Sequence, residues 1–308
     1  MTTCLIIRNP ASRLSIPTSR LEAVLAHARA AGWETGHVST DRHGHATEIA
    51  RDAAAQGADV IVVHGGDGTL NETINGIAGS NAALAVISAG TANVWAKETH
   101  MPRDPVEAMD CIVRGERRRI DLGRAGERYF LLMAGVGLDA AIVPRVSSRM
   151  KRRLGVTAYI IAGVLTALRT KPWRVAMRID GEPRECWLYW MLASNTRSYG
   201  GLTDIMYRAR ADDGLLDVGL MHRGGPLHLV ADGARLIVHR HDRSPNVEFV
   251  KARTVEVETP GLPVQIDGEL AGRTPMRFEV VPRALTVIVP AGFTSPLLGG
   301  VPSGAAAI

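Results

Sequence analysis

The sequence predicts an α/β domain built on a parallel sheet, followed by a mainly β second domain. Three observations carry that reading. Over roughly the first 120 residues, short apolar runs alternate with stretches of helical periodicity, the pattern of successive βαβ units. One such run, DVIVV at 59–63, leads straight into HGGDGT, a buried strand ending in a glycine-rich turn. Beyond residue 123 strand-like runs dominate, and 308 residues exceed the ~250 at which a single core usually stops growing. The expected domains are therefore 1–123, completed by the tail at 290–308, and 124–289.

Taken in order, 3–8 reads as a first strand and 17–31 as a helix, with Leu21, Val24, Leu25 and Ala28 at helical spacing and Gly32 as its stop. A weaker strand at 33–39, a helix at 45–56 and the strand at 59–63 follow. Residues 69–78 are expected to be helical, 83–88 extended, and 92–99 and 105–114 helical. In the second domain, strands are expected at 129–134, 173–179, 185–193, 215–221, 247–258 and 285–289, with two inserted helices near 152–169 and 226–239. The tail carries Phe293, Leu297 and Leu298, apolar residues suited to docking on the first domain, before a run of small residues that frays.

A chain that is 46% hydrophobic and 22% charged has material for a core, which excludes disordered, collagen-like and disulfide-scaffold classes. Cys4, Cys111 and Cys186 lie far apart, with no spacing that suggests a disulfide framework or a zinc site, so a reducing cytoplasmic setting is expected. The amino terminus lacks a signal-peptide pattern, and no apolar run reaches the ~18 residues of a membrane span. The net charge of +5 is concentrated. Arg145, Arg149, Lys151, Arg152, Arg153, Arg169, Lys171 and Arg174 occur with no acidic residue between 145 and 174, and the rest of the chain is net acidic. The apolar centre of that segment, 155–168, is too short to span a bilayer. Two readings stay open for it: a helix docked peripherally on an anionic membrane surface, or one packed internally with its arginines solvated.

The chemistry concentrates in Gly65, Gly66, Asp67, Gly68 and Thr69. Glycines at the carboxyl end of a parallel strand let backbone N–H groups approach phosphate oxygens, Thr69 adds a hydroxyl, and the next helix contributes its positive end. A carboxylate there would repel phosphate unless a Mg²⁺ lies between them or it takes part in proton transfer, so Asp67 points to phosphoryl transfer. The plainer alternative is a turn with Asp67 as a helix cap. On either reading the side chain is expected to make few packing contacts.

The ordered set of motifs resembles the diacylglycerol kinase catalytic-domain family, especially its bacterial soluble lipid kinases, with sphingosine kinases related and NAD kinases more distant. It comprises NPAS at 9–12, GGDGTLNE at 65–72, GTAN at 90–93, RIDLG at 119–123, ARADDGLLDV at 209–218 and DGE at 267–269. The pentad alone is shared with NAD kinases and phosphofructokinases; the set is far more specific. The resemblance implies an NAD kinase/diacylglycerol kinase-like fold. It places Asn9, Thr40, Gly66, Asp67, Gly68, Thr69, Asn71 and Thr91 where the family holds ATP, and makes Glu269 the general base that takes the proton from a lipid hydroxyl. Without it, the Asp-Gly before Glu269 is ordinary hairpin chemistry. It further implies a structural Mg²⁺ at Asp213 with the carbonyls of Arg210 and Leu215, beside the Mg²⁺ that accompanies ATP. Asp121 falls either in a polar network between domains or in a capped turn.

Two positions depart from the family pattern: Arg13 stands where Gly is frequent, and Val94 where Asp is. Two other patterns are set aside. The GxGxxA form at 135–140 lacks the acidic residue of a dinucleotide site about 20 positions on and is read as tight β-packing. The pairs His43/His45 and His239/His241 lack a third ligand in sequence. The expected activity is transfer of the γ-phosphate of Mg-ATP to the hydroxyl of diacylglycerol or a similar lipid, giving phosphatidic acid or its equivalent. The alternatives are a kinase of a soluble metabolite such as NAD, and a catalytically inactive nucleotide-sensing module at the membrane surface. Expected partners are ATP, a lipid acceptor and an anionic membrane surface, with no nucleic acid; a homodimer is compatible with the sequence.

Overall fold

A computed structural model describes residues 1–142, 166, 170–201, 203–222 and 246–299. The chain divides into two compact units, residues 1–122 with 282–308, and residues 123–281.

The first unit is an open parallel sheet. Strands β1 (Thr3–Arg8), β2 (Glu34–Ser39), β3 (Val60–Gly65) and β4 (Ala83–Ser88) pair in the order β4-β3-β1-β2, and the end of the last strand, β15 (Met276–Val289), adds to β4. The central strand β3, VIVVHG, is buried at every position, as a strand covered on both faces must be. By contrast β2, ETGHVS, is largely exposed at the sheet edge. Helix α1 (Thr18–Ala30) buries Leu21, Val24, Leu25 and Ala28, the residues whose spacing predicts it. Helices α2 (His45–Ala55) and α3 (Asp67–Ile77) cross so closely that a Cβ on Gly76 would lie 2.5 Å from the Thr47 carbonyl oxygen. Helix α4 (Val94–Glu98) is short; α5 (Pro105–Arg114) starts at Asp104, whose carboxylate accepts from the amides of Val106 and Glu107, with proline at its first position.

The second unit is antiparallel. Its strands are the end of β5 (Glu116–Ala125), then β6 (Arg128–Phe130), β7 (Met133–Gly137), β8 (Trp173–Ile179), β9 (Glu182–Ser194), β10 (Leu216–His222), β11 (Val247–Ala252), β12 (Thr254–Val257), β13 (Pro263–Ile266), β14 (Glu269–Arg273) and the start of β15. One helical turn, α6 (Leu138–Ile142), follows β7. The first half of β9 pairs with β8, while its second half lies between β7 and β10. Phe130, Leu188, Met191, Val218, Val255 and Phe278 belong to the shared core. Gly123 is required by that core, since a Cβ there would lie 1.9 Å from the Phe130 ring.

Several expected elements are corrected. The strand expected at 129–134 is two, β6 and β7, because the amides of Leu131, Leu132 and Met133 all donate to the Asp267 carboxylate. The strand expected at 247–258 is also two, broken at Arg253, whose amide donates to Asp180. Strand β5 was not expected, and β15 begins nine residues before the expected 285. The tail residues Phe293, Leu297 and Leu298 are buried in the first unit, where the Phe293 ring meets His100 edge-on. The expected helix near 152–169, apart from Thr166, which is helical and buried, the expected helix near 226–239, the basic residues 145–153 and the His239/His241 pair lie outside the described residues. Among the described residues no helix is long and apolar enough to cross a membrane.

Candidate active site

Parallel strands leave their carboxyl ends along one edge, and in an open α/β sheet that edge is where ligands bind. Asn9 follows β1, Thr40 follows β2, Gly66 and Asp67 follow β3, and Gly90 and Thr91 follow β4, so one edge of the first unit collects them. The loops are tied to one another. Asn9 Nδ2 donates to Thr69 Oγ1 at 2.9 Å, and Asn9 Oδ1 accepts from the Ala11 amide, which sets the turn after β1. The Thr40 amide donates to the Arg8 carbonyl at 2.8 Å.

The glycines are needed for close approach. A Cβ on Gly65 would strike the Thr69 side chain at 2.7 Å, and one on Gly90 would lie 2.6 Å from the Gly66 Cα. Backbone therefore packs directly on backbone across the β3 and β4 loops, which only glycines allow. Asn93 closes the second loop. With φ of 47°, a left-handed conformation that asparagine tolerates, it accepts from the Gly90 amide through Oδ1 and donates to the Gly90 carbonyl through Nδ2.

Asp67 is the first residue of α3, yet it caps α4. Its Oδ2 accepts from the Asn93 amide at 2.9 Å and its Oδ1 from the Val94 amide at 2.8 Å. Removal of water by the surrounding protein raises its pKa, against these hydrogen bonds, which favour the carboxylate. The cap anticipated from sequence is thus real but lies on the neighbouring helix, and the side chain is more engaged than a loop residue would be. Val94 takes part through its amide, and its side chain is buried. Along α3, Thr69 and Asn71 are buried, and Glu72 caps α2 by accepting from the Ala46 amide while also meeting His43.

In the second unit, Asp267 and Gly268 have φ of 46° and 84°, the two left-handed residues of a type I′ hairpin turn, with Ile266 paired to Glu269 across it. The hairpin anticipated from Asp-Gly is present. Glu269 opens β14, and its Oε2 pairs with Arg128 Nη2 at 2.7 Å. Gln265 Oε1 accepts from the Gly268 amide, and Gln265 Nε2 donates to the buried Asp139. Sequence reasoning singled out neither Gln265 nor Asp139 as a functional residue, because their partners lie 126 residues apart.

At the expected Mg²⁺ turn, Asp213 Oδ2 meets Lys251 Nζ at 2.8 Å and Oδ1 accepts from the Leu215 amide at 3.2 Å. Lys251 also reaches Asp217 at 2.9 Å. Arg210 lies in the same turn, with its guanidinium on Asp212. An ammonium thus stands against the carboxylate expected to hold the metal, and a divalent cation there would be repelled by it; the residues as placed do not fit that site. Among the described residues no three His, Cys, Asp or Glu side chains converge on a point. Asp121, for its part, accepts from the Arg283 amide at 2.7 Å, capping the left-handed residue within β15.

An open parallel sheet with a glycine-rich acidic turn, followed along the chain by an antiparallel β unit, is an NAD kinase-like architecture. Residues 3–125 match the diacylglycerol kinase catalytic domain, and residues 133–289 match the YegS C-terminal NAD kinase beta sandwich-like domain. The chain belongs to the diacylglycerol kinase catalytic-domain family. It is 30% identical over 289 residues to the diacylglycerol kinase of Bacillus subtilis (strain 168), covering 92% of this chain and 95% of that protein. It is 30% identical over 291 residues to that of Staphylococcus saprophyticus, covering 92% and 94%. A solved structure assigned to the diacylglycerol kinases in Bacillus anthracis str. Sterne superposes with a TM-score of 0.80 at 25% identity, covering 95% of this chain and 98% of that one.

Proposed function

We propose that this protein is an ATP-dependent lipid kinase that moves the γ-phosphate of Mg-ATP onto the hydroxyl of diacylglycerol or a similar lipid. The observation that carries the reading is the pairing of the Gly66 and Gly90 backbones at the strand ends beside Asp67, within a family whose relatives are named diacylglycerol kinases. In this reading the amino end of α3 receives the phosphates, with Asn9, Thr40, Thr69, Asn71 and Thr91 around them. Asp67 holds the two loops in register through the Asn93 and Val94 amides and is the residue that would face the nucleotide's Mg²⁺. That ion, when bound, neutralises charge on the phosphate oxygens.

Glu269 is the proposed acceptor of the lipid hydroxyl proton, held by Arg128 on a rigid hairpin. Peripheral docking on an anionic bilayer, through the acid-free basic segment at 145–174, belongs to the same reading, since the acceptor has to be drawn from a membrane. A panel of diacylglycerols, sphingoid bases and NAD, incubated in mixed micelles with labelled Mg-ATP, tests it. Label is expected in a lipid product with wild type, and Glu269→Gln is expected to lower kcat by about 10² to 10⁴. Label in NAD alone would move the assignment to a soluble-metabolite kinase.

A further inference from the structure

We propose that Asp139 is a positioning residue for the reaction, fixing through Gln265 the turn that carries Glu269. The proposal rests on the reading of Glu269 as the proton acceptor. Asp139 lies in the first turn of α6 and is buried, at 6% exposure. The Tyr199 hydroxyl donates to its Oδ1, and Gln265 Nε2 donates to its Oδ2 at 2.7 Å. The other end of the Gln265 amide, Oε1, accepts from the Gly268 amide at 2.7 Å.

The polarity of this chain is forced. A backbone N–H can only donate, so Gln265 must turn its oxygen to Gly268 and its nitrogen to Asp139, whose facing oxygen must then accept. Burial raises the Asp139 pKa while both hydrogen bonds oppose that rise. An acid placed out of water is expensive unless it is fully used, and here each oxygen has its donor.

The sequence makes room for it. A Cβ on Gly135 would lie 1.9 Å from Asp139 Oδ2 and 2.9 Å from Gln265 Nε2, so the first glycine of the GxG in β7 leaves the room this carboxylate occupies. On the other side of the turn, Asp267 accepts from the amides of Leu131, Leu132 and Met133. Both left-handed residues that aim Glu269 are thereby gripped, Asp267 by its side chain and Gly268 by its amide. Because positions wrong by about 1 Å can lower turnover by about 10², loosening Gly268 is expected to act on kcat.

The test is a reversal of polarity. In Gln265→Glu a carboxylate oxygen faces Asp139 Oδ2 with no proton donor between them, and the repulsion draws the new side chain away from the Gly268 N–H. In the double variant Asp139→Asn/Gln265→Glu the new amide donates to the new carboxylate, whose second oxygen accepts from Gly268, and the chain is restored with its charge moved by one residue. With diacylglycerol in mixed micelles, the single variant is expected to lose roughly 10- to 100-fold in kcat, with KM for ATP nearly unchanged. Hydrogen exchange in the 263–273 peptide is expected to accelerate. The double variant is expected to regain most of both. Unchanged kcat in the single variant, or a double variant no better than the single, would overturn the proposal.

Glu269→Gln run alongside separates the two claims: if it keeps full turnover, the reading of Glu269 fails, whereas if it loses turnover and Gln265→Glu does not, only the relay fails. Should Gln265→Glu not fold, Gln265→Met leaves Asp139 in place and removes the acceptor of Gly268. Normal exchange and turnover in that variant would also overturn the relay.

Discussion

Asp67 does two things that a substitution separates. As a cap it holds the first amides of α4, and loss of such a cap costs about 0.5 to 2 kcal/mol. Asp67→Ala is therefore expected to lower the unfolding temperature by several degrees, whereas its place in a glycine loop read from sequence predicts an intact fold. Its proposed role beside the phosphates is larger, since charge stabilisation at such a site is worth about 3 to 4 kcal/mol or more. Turnover at saturating ATP should fall by at least about 10², well beyond the loss of folded protein measured by calorimetry on the same sample. A variant that melts early but turns over normally would leave Asp67 as a cap alone. The glycines and the acid were legible from residue type, because few other reasons put Gly-Gly-Asp-Gly at a strand end. Asn93 and Gln265 were not, since each matters through a partner's backbone amide that only the folded chain brings near.

Elements were legible where one physical cause dominates. Strands β1 and β4 and helix α5 fall on their expected residues, each a clean apolar run or a capped periodic stretch. Strand β5 begins ERRR and conceals its start behind charge, while β15 runs through Pro282 and the left-handed Arg283, which read as a break. The ARADDGLLDV turn was legible as a turn; its cation was not. Lys251, in β11, bridges Asp213 and Asp217 from a strand that sequence alone does not pair with β10. Burial raises the Asp217 pKa, and the ammonium opposes that rise. If Lys251 is the cation of this turn, wild type should melt at the same temperature in EDTA as in Mg²⁺. Lys251→Met should melt about 2 to 4 °C lower, as for a loss near 1 kcal/mol in a unit of this size, and should recover part of that loss with Mg²⁺. A wild type that loses several degrees in EDTA would show a divalent cation bound instead.

Because the chain forms two compact units, acid need not act on both at once. His64 lies in the central strand of the first unit, fully buried. The Ile16 amide donates to its Nε2 and its Nδ1 faces the Ile87 carbonyl, so the neutral ring with its proton on Nδ1 satisfies both partners, whereas a charged ring would set a donor against the Ile16 N–H. Burial lowers its pKa below the usual 6.5. The unfolded chain then binds more protons than the folded one in the window below 6.5, and stability rises with pH there. Its contribution is whole above about 6.5 and is lost as pH falls toward the lowered value, at a slope of up to about 1.4 kcal/mol per pH unit. The carboxyls of Asp67, Asp139 and Asp217 are shifted upward by burial, so their protonation on acidification favours the folded chain and opposes the His64 effect. Hydrogen exchange followed from pH 7 to pH 5.5 is therefore expected to show the β1, β3 and β4 peptides losing protection before those of β8, β9 and β12. His64→Gln keeps a donor for Ile87 and an acceptor for Ile16 without a titrating proton, so it should flatten the response of the first unit. Equal loss in both units, or an unaltered slope in His64→Gln, would place the acid sensitivity elsewhere.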